Sequence, residues 1–240
     1  MLEGQCLKDI DHKSLVKKII LSRFLEKPVE KYEYYIESLK INSDFIKLTN
    51  WKCTKYNREI IKIIKFPKTT GNSGECNWPK NVLAEVTVSK DCYLINYRNE
   101  WFSKKIDMGK SRLRRFLENE KLTNENDTSI KDLLAKIRLI NIRNSITYKI
   151  LRGVIHFQKD FFVKNNDLFS LKVLSFSDVS KWVNYNFKNG LHVDNSRISR
   201  LINGKSIITK YGHEIELIKL FPSSRDIKKN ILKRFFIWNV

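Results

Sequence analysis

Asp194-Asn195-Ser196-Arg197-Ile198-Ser199-Arg200-Leu201-Ile202-Asn203-Gly204-Lys205 is the stretch whose reading decides the fold. Asp194 offers a carboxylate to cap a helix and Asn203-Gly204 offers a stop, so a helix is expected over 195–203. Ile198, Leu201 and Ile202 recur at helical spacing and form one compact apolar stripe. Asn195, Ser196, Ser199, Arg200 and Asn203 fall on the other side, with Arg197 at the flank. A short helix so built can enter the DNA major groove, because one face anchors it while the other carries small polar and Arg donors. Arg pairs bidentately with guanine, Asn pairs with adenine, and Ser reaches phosphate. The same pattern also describes an ordinary solvated helix.

The flanks bear on that choice. Ser177 or Asp178 is placed to cap a preceding helix carrying Val179, Trp182, Val183 and Phe187, which Lys188-Asn189-Gly190 then breaks. Two short helices about a break read as a helix-turn-helix. Further upstream, 130–162 reads as a long helical region, one helix or two, with Ile146, Ile150, Val154, Phe157 and Phe161 on one face. The first 66 residues also read as helices. Leu15, Val16, Ile19, Ile20 and Phe24 form one stripe behind a possible Asp11 cap. Val29, Tyr32, Ile36 and Leu39 form a second stripe after Pro28, and two short helices are expected over 44–48 and 58–64.

Breakers Pro67, Gly71, Gly74 and Pro79 predict a linker over 67–79. Val82 to Val88 alternates loosely, and with Cys92 to Ile95 it predicts a short strand pair or an extended segment. Arg112 to Leu117 reads as a basic helix, and Glu118 to Asp127 as an exposed loop. Arg225 to Val240 reads as a helix with Lys228, Lys229, Lys233 and Arg234 opposite Ile227, Ile231 and Phe235, an apolar face expected to lack cover. The fold class expected is mainly α, helical bundles followed by a helix-turn-helix. No internal repeat or low-complexity tract is present.

Composition narrows the function classes. Forty-six Lys and Arg against 26 Asp and Glu give a net charge of +20, which favours a polyanionic partner. Part of that surplus follows from a residue bias toward Lys, Ile and Asn. No apolar run approaches the roughly 20 residues needed to span a bilayer, and the start lacks a secretory pattern, so a cytoplasmic protein without a membrane partner is expected. Cys6, Cys53, Cys76 and Cys92 are scattered without a Cys-x-x-Cys pair, which argues against a zinc site and for reduced, mostly buried thiols. Gly71-Asn72-Ser73-Gly74 lacks the spacing of a phosphate loop, and Gly204-Lys205-Ser206 lacks a preceding glycine loop. His213, Glu214 and Glu216 have no second ligand pair or nucleophile nearby in sequence. No catalytic residue, metal or cofactor is expected.

At this point a resemblance enters. Asp194-Asn195-Ser196-Arg197-Ile198-Ser199-Arg200, then Gly204-Lys205, Thr209, Gly212 and Ile215-Glu216-Leu217, resemble the helix-turn-helix and following segment of sigma-54-type RNA polymerase sigma factors. Arg143, Ile150, Val154, Gln158, Phe161 and Phe162 fit the family pattern upstream in register, as does Leu171-Lys172-Val173-Leu174-Ser175-Phe176-Ser177-Asp178-Val179. Ala84-Glu85-Val86-Thr87-Val88 with Ile95-Asn96, and Gly4-Gln5-Cys6-Leu7-Lys8-Asp9-Ile10, are similar more faintly. Ile146-Thr147 and Lys210-Tyr211 depart from the pattern, and the turn between Val183 and Asp194 is several residues longer.

The resemblance implies a non-catalytic transcription initiation factor with core RNA polymerase and promoter DNA as partners. It implies helical polymerase-binding subdomains over 1–66 and 80–170, a DNA-binding unit over 171–221 and the remnant of a promoter-binding domain over 222–240. DNA contacts would come from Asn195, Ser196, Arg197, Ser199 and Arg200, with Lys205 on phosphate. The chain would be shortened at both ends, without the segment that answers an ATP-dependent activator, which makes that partner doubtful. Two other readings fit the same residues: an unrelated helix-turn-helix regulator, and a decayed sigma factor without initiation activity.

Overall fold

A computed structural model of the chain describes residues 15–50, 52–53, 58–59, 61–65, 78–89, 92–108, 128–164, 166–188 and 191–238. The Asp11 cap, nearly all of the 67–79 linker, the 112–117 helix and the 118–127 loop lie outside them. The architecture is mainly helical with small sheets.

Helix α1 (15–26) ends before Lys27, and Pro28 stands at the start of α2 (Val29–Lys40), which turns through Ile41 into α3 (Ser43–Asn50). Val29, Tyr32, Ile36 and Leu39 are buried as their spacing predicts. The stripe on α1 behaves differently. Phe24 and Leu25 are buried, whereas Leu15, Val16, Ile19 and Ile20 are 39–55% exposed, so only the C-terminal end of α1 reaches the core.

Residues 58–64 are not a helix. β2 (Arg58–Glu59) pairs with β1 (Lys52–Cys53), and β3 (Ile61–Lys65) pairs antiparallel with β6 (Lys104–Met108), Ile63 opposite Ile106. Four isoleucines at 60, 61, 63 and 64 carry branched Cβ atoms that suit a pleated strand better than a helix.

The predicted strand pair is present as β4 (Val82–Val88) and β5 (Tyr93–Tyr97), antiparallel with Val86 opposite Ile95. β4 also pairs on its other side, in parallel, with β7 (Ser206–Thr209), and β8 (Glu214–Glu216) closes a sheet of order β5-β4-β7-β8. Val82, Ala84, Val86 and Val88 alternate onto one face and are buried there, whereas of Leu83, Glu85 and Thr87 on the other face only Leu83 is buried. The β7–β8 turn holds Gly212 at φ 79, where a side chain would be strained.

Helix α4 (Thr128–Phe157) is 30 residues, about 45 Å, and Gln158 separates it from α5 (Lys159–Val163), so the long helical region is two helices. Polar residues on α4 tie the chain together. Asn141 Nδ2 donates to Ile106 O (2.6 Å) and its Oδ1 accepts from Ile106 N (2.7 Å), completing the ladder of β6. Asn144 accepts from the Tyr32 hydroxyl (2.6 Å) and donates to the carbonyls of Trp101 (2.7 Å) and Lys104 (2.8 Å). Arg143 is 1% exposed, lies 3.8 Å from the Tyr32 ring centroid, and donates to the carbonyls of Phe24 (2.7 Å) and Lys27 (2.9 Å) at the end of α1. Those carbonyls have no partner within their own helix, and a cation there meets the negative end of the helix dipole.

The remaining helices are α6 (Phe176–Asn186), α7 (Asn195–Ile202) and α8 (Ser224–Trp238). On α8 the Ser223 hydroxyl and Asp226 carboxylate cap each other's ends, Ile227 is half-buried, and Ile231 and Leu232 remain exposed. One buried apolar cluster extends from Phe24 to Leu220 and includes both β4 and the helix-turn-helix. Among the described residues no helix is long and apolar enough to cross a membrane.

Candidate nucleic-acid interface

The helix-turn-helix is built from its caps inward. Ser175, rather than Ser177 or Asp178, caps α6: its hydroxyl accepts from Asp178 N (3.2 Å), and Asp178 Oδ2 accepts from Ser175 N (3.0 Å). Such a reciprocal box satisfies two otherwise orphaned amides. Val179 and Val183 face the core beside Gly153 of α4. The backbones approach so closely there that a Cβ on Gly153 would lie 3.0 Å from Val179 Cγ1 and 3.4 Å from Trp182 Cε3.

The long turn is stitched rather than loose. Ser180 Oγ (2.7 Å) and Asn184 Nδ2 (2.9 Å) both donate to Val193 O, and Val193 N donates to Asn184 Oδ1 (2.9 Å). Val193, fully buried, anchors the chain immediately before α7. These bonds fix the seat of the second helix against the first.

Asp194 caps α7 as its sequence position predicts, accepting from Arg197 N (2.8 Å). Burial works to raise the Asp194 pKa. Hydrogen bonds from Ser196 and the Arg197 amide, with the Arg197 charge, outweigh burial and hold the group below the usual carboxylate range. Ile198, Leu201 and Ile202 are buried, and Asn195, Ser196 and Asn203 are exposed. Arg197, Ser199 and Arg200 are half-buried, so the helix shows its polar side outward as expected.

Its donors are pre-oriented by acidic and polar neighbours. Ser196 Oγ donates to Asp194 Oδ1 (2.6 Å). Arg197 pairs with Asp194 and donates to the His192 carbonyl. Arg200 Nε lies 3.1 Å from Glu26 Oε1, a partner from the end of α1 that nothing in the local sequence of α7 announces.

Lys205 departs from expectation. It is 2% exposed, with Nζ 3.4 Å from the carbonyls of both Leu25 and Arg200, and so does not point toward a DNA phosphate. Gly204 at φ 64 turns the chain back beneath α7, and 205 faces inward as β7 begins. Burial, then the like charge of Arg143, push the ammonium down to about 7 against the attraction of Glu26. His213 and Glu214 are likewise structural: His213 Nδ1 lies 3.2 Å from Asn166 Nδ2, and Glu214 accepts from Ser206.

Residues 120–231, which take in α4 through most of α8, match the family model of the sigma-54 DNA-binding domain. Over those residues the chain is similar to a sigma-54 DNA-binding domain. The match supports a sigma-54-like role in binding promoter DNA. No curated protein matches the chain in sequence. Helices α1–α3 and strands β1–β6 lie outside the matched span, yet β4 pairs with β7 inside it and Glu26 pairs with Arg200 of α7.

Proposed function

We propose that the chain is a sigma-54-like initiation factor, a non-catalytic specificity subunit. Residues 1–66 and 80–170 bind core RNA polymerase, and the 171–221 unit reads promoter DNA. Asn195, Ser196, Arg197, Ser199 and Arg200 make the DNA contacts, and Lys205 acts from inside by holding the end of α7 against α1. The observation that carries this reading is α7 itself: Ile198, Leu201 and Ile202 are buried while Asn195 and Ser196 are exposed and both arginines are partly so. The exposed Leu15, Val16, Ile19 and Ile20 on α1 supply an apolar stripe suited to a protein partner, which supports the polymerase assignment.

Fluorescence anisotropy with promoter duplexes and single-base variants tests the DNA face. Arg200→Ala is expected to lose about 1–3 kcal/mol of discrimination at one base pair. Equal losses on every duplex would confine Arg200 to the backbone. Co-purification with core polymerase separates this reading from an unrelated helix-turn-helix regulator. Promoter-directed transcription with an ATP-dependent activator separates it from a factor that binds polymerase without starting synthesis.

A further inference from the structure

Three cations from the matched span converge on the last turn of α1 and the residue after it. Arg143 Nη1 donates to Phe24 O (2.7 Å) and Nη2 to Lys27 O (2.9 Å), and Lys205 Nζ lies 3.4 Å from Leu25 O. Arg200 takes the residue between, with Nε 3.1 Å from Glu26 Oε1. The main chain on both sides of Glu26 is therefore pinned through its carbonyls. Lys205 also reaches the Arg200 carbonyl (3.4 Å), so both partners of the ion pair spring from fixed backbone. Their side chains are 53% and 39% exposed, and a pair so exposed adds little to stability. The carboxylate also stands beside a helix offered to a polyanion, where a negative charge weakens attraction.

We propose that Glu26 is a positioning residue for sequence readout, holding the Arg200 guanidinium in one orientation so that the arginine reads a single base pair. This rests on the promoter-reading assignment of α7. Arg recognises guanine O6 and N7 through two N–H groups in a fixed fork. The ion pair engages Nε, and the end-on edge formed by Nη1 and Nη2 lies outside it. Nη1 is 3.5 Å from Ser196 Oγ, at the limit of a hydrogen bond. A long side chain held in this way has less freedom to lose when it meets a base, which favours the matched base pair over its competitors. An unheld Arg200 would swing to phosphate, a contact that carries no sequence information. Glu26 thus lowers attraction to every duplex alike and raises discrimination at one position.

The test uses the full chain and a duplex that it selects from a randomised pool. Single-base variants of that duplex and an unrelated duplex of equal length are compared by fluorescence anisotropy. Arg200→Ala identifies the base pair that Arg200 reads. There, Glu26→Gln is expected to reduce discrimination about two- to fivefold, the range of an exposed ion pair. The same variant is expected to bind the unrelated duplex up to about threefold more tightly at low salt. Glu26→Asp keeps the charge and shortens the reach, so discrimination falls without the gain on the unrelated duplex. In the Arg200→Ala background, Glu26→Gln is expected to leave discrimination at that base pair unchanged. The proposal is overturned if Glu26→Gln spares discrimination in the parent, lowers it equally with and without Arg200, or tightens the selected duplex more than the unrelated one. A pool that yields no preferred duplex, or Arg200→Ala without loss at any base pair, instead overturns the reading of α7, and the role of Glu26 with it.

Discussion

Lys205 provides the sharpest test of how the two ends of the chain are joined. Its ammonium sits beside Arg143 under α7, with two carbonyls at 3.4 Å as acceptors and Glu26 as the opposing charge. In the unfolded chain the amine holds its proton up to 10.5, and in the folded chain it releases it near 7. Between those values the unfolded state binds more protons, so stability climbs as pH rises from 7 toward 10.5, and the folded protein bears the full cost of the buried charge below 7. At 1.36 kcal/mol per pH unit the whole shift is worth roughly 5 kcal/mol, and relaxation around the charge reduces that to about 2–4 kcal/mol. Lys205→Met removes the charge while keeping the stem. It also leaves two carbonyls without a donor, at about 1 kcal/mol each. The variant is therefore expected to equal or exceed the parent by up to about 2 kcal/mol at pH 7 and to fall about 1–2 kcal/mol below it at pH 10. Urea denaturation of both proteins at the two pH values reads this directly, because all other titrating groups cancel in the difference. A variant weaker by the same amount at both values would refute the reasoning and show that the carbonyls and Glu26 fully compensate the ammonium.

Two further substitutions probe the seat of the helix-turn-helix. Gly153→Leu forces Val179, Trp182 and Val183 away from α4 and is expected to cost about 1–3 kcal/mol in urea melts. Gly153→Ala is expected to cost less, since the gain in helix propensity of up to about 1 kcal/mol offsets part of the crowding. Gln158→Leu removes the acceptor of Lys172 N and the donor to Lys172 O and Leu220 O in a fully buried position, and is expected to cost at least about 3 kcal/mol; a loss under about 1 kcal/mol would mean those groups find water instead.

How much of this was legible depended on range. Asp194 and Asn203-Gly204 bracket α7 through local capping chemistry, and its apolar stripe states which side is inward, so the helix and its polar face followed from a dozen residues. Val29, Tyr32, Ile36 and Leu39 were equally plain. The 58–64 segment misled because its isoleucine pattern admits both periods over so short a run, and strand pairing with 104–108 decides it. β7 was invisible for a similar reason: Ser206-Ile207-Ile208-Thr209 is four residues, and its partner lies over 100 positions earlier. At the candidate interface, sequence predicted residue types but not their neighbours. The inward turn of Lys205 requires Gly204 at positive φ, and the pairing of Arg200 with Glu26 requires the fold itself. Cys92, one of four thiols expected to be mostly buried, is exposed and lies against Ser89.

The parallel pairing of β4 with β7 has a consequence for anyone who would excise the family-matched region. A fragment cut at residue 120 would retain β7 and β8 and lose the strand that occupies the other side of β7. The severed piece would carry an open row of amides and carbonyls flanked by Ile207, a ready template for self-assembly between copies. Supplying residues 78–108 as a separate peptide should therefore keep such a fragment monomeric, in the manner of a missing stave returned to a cask.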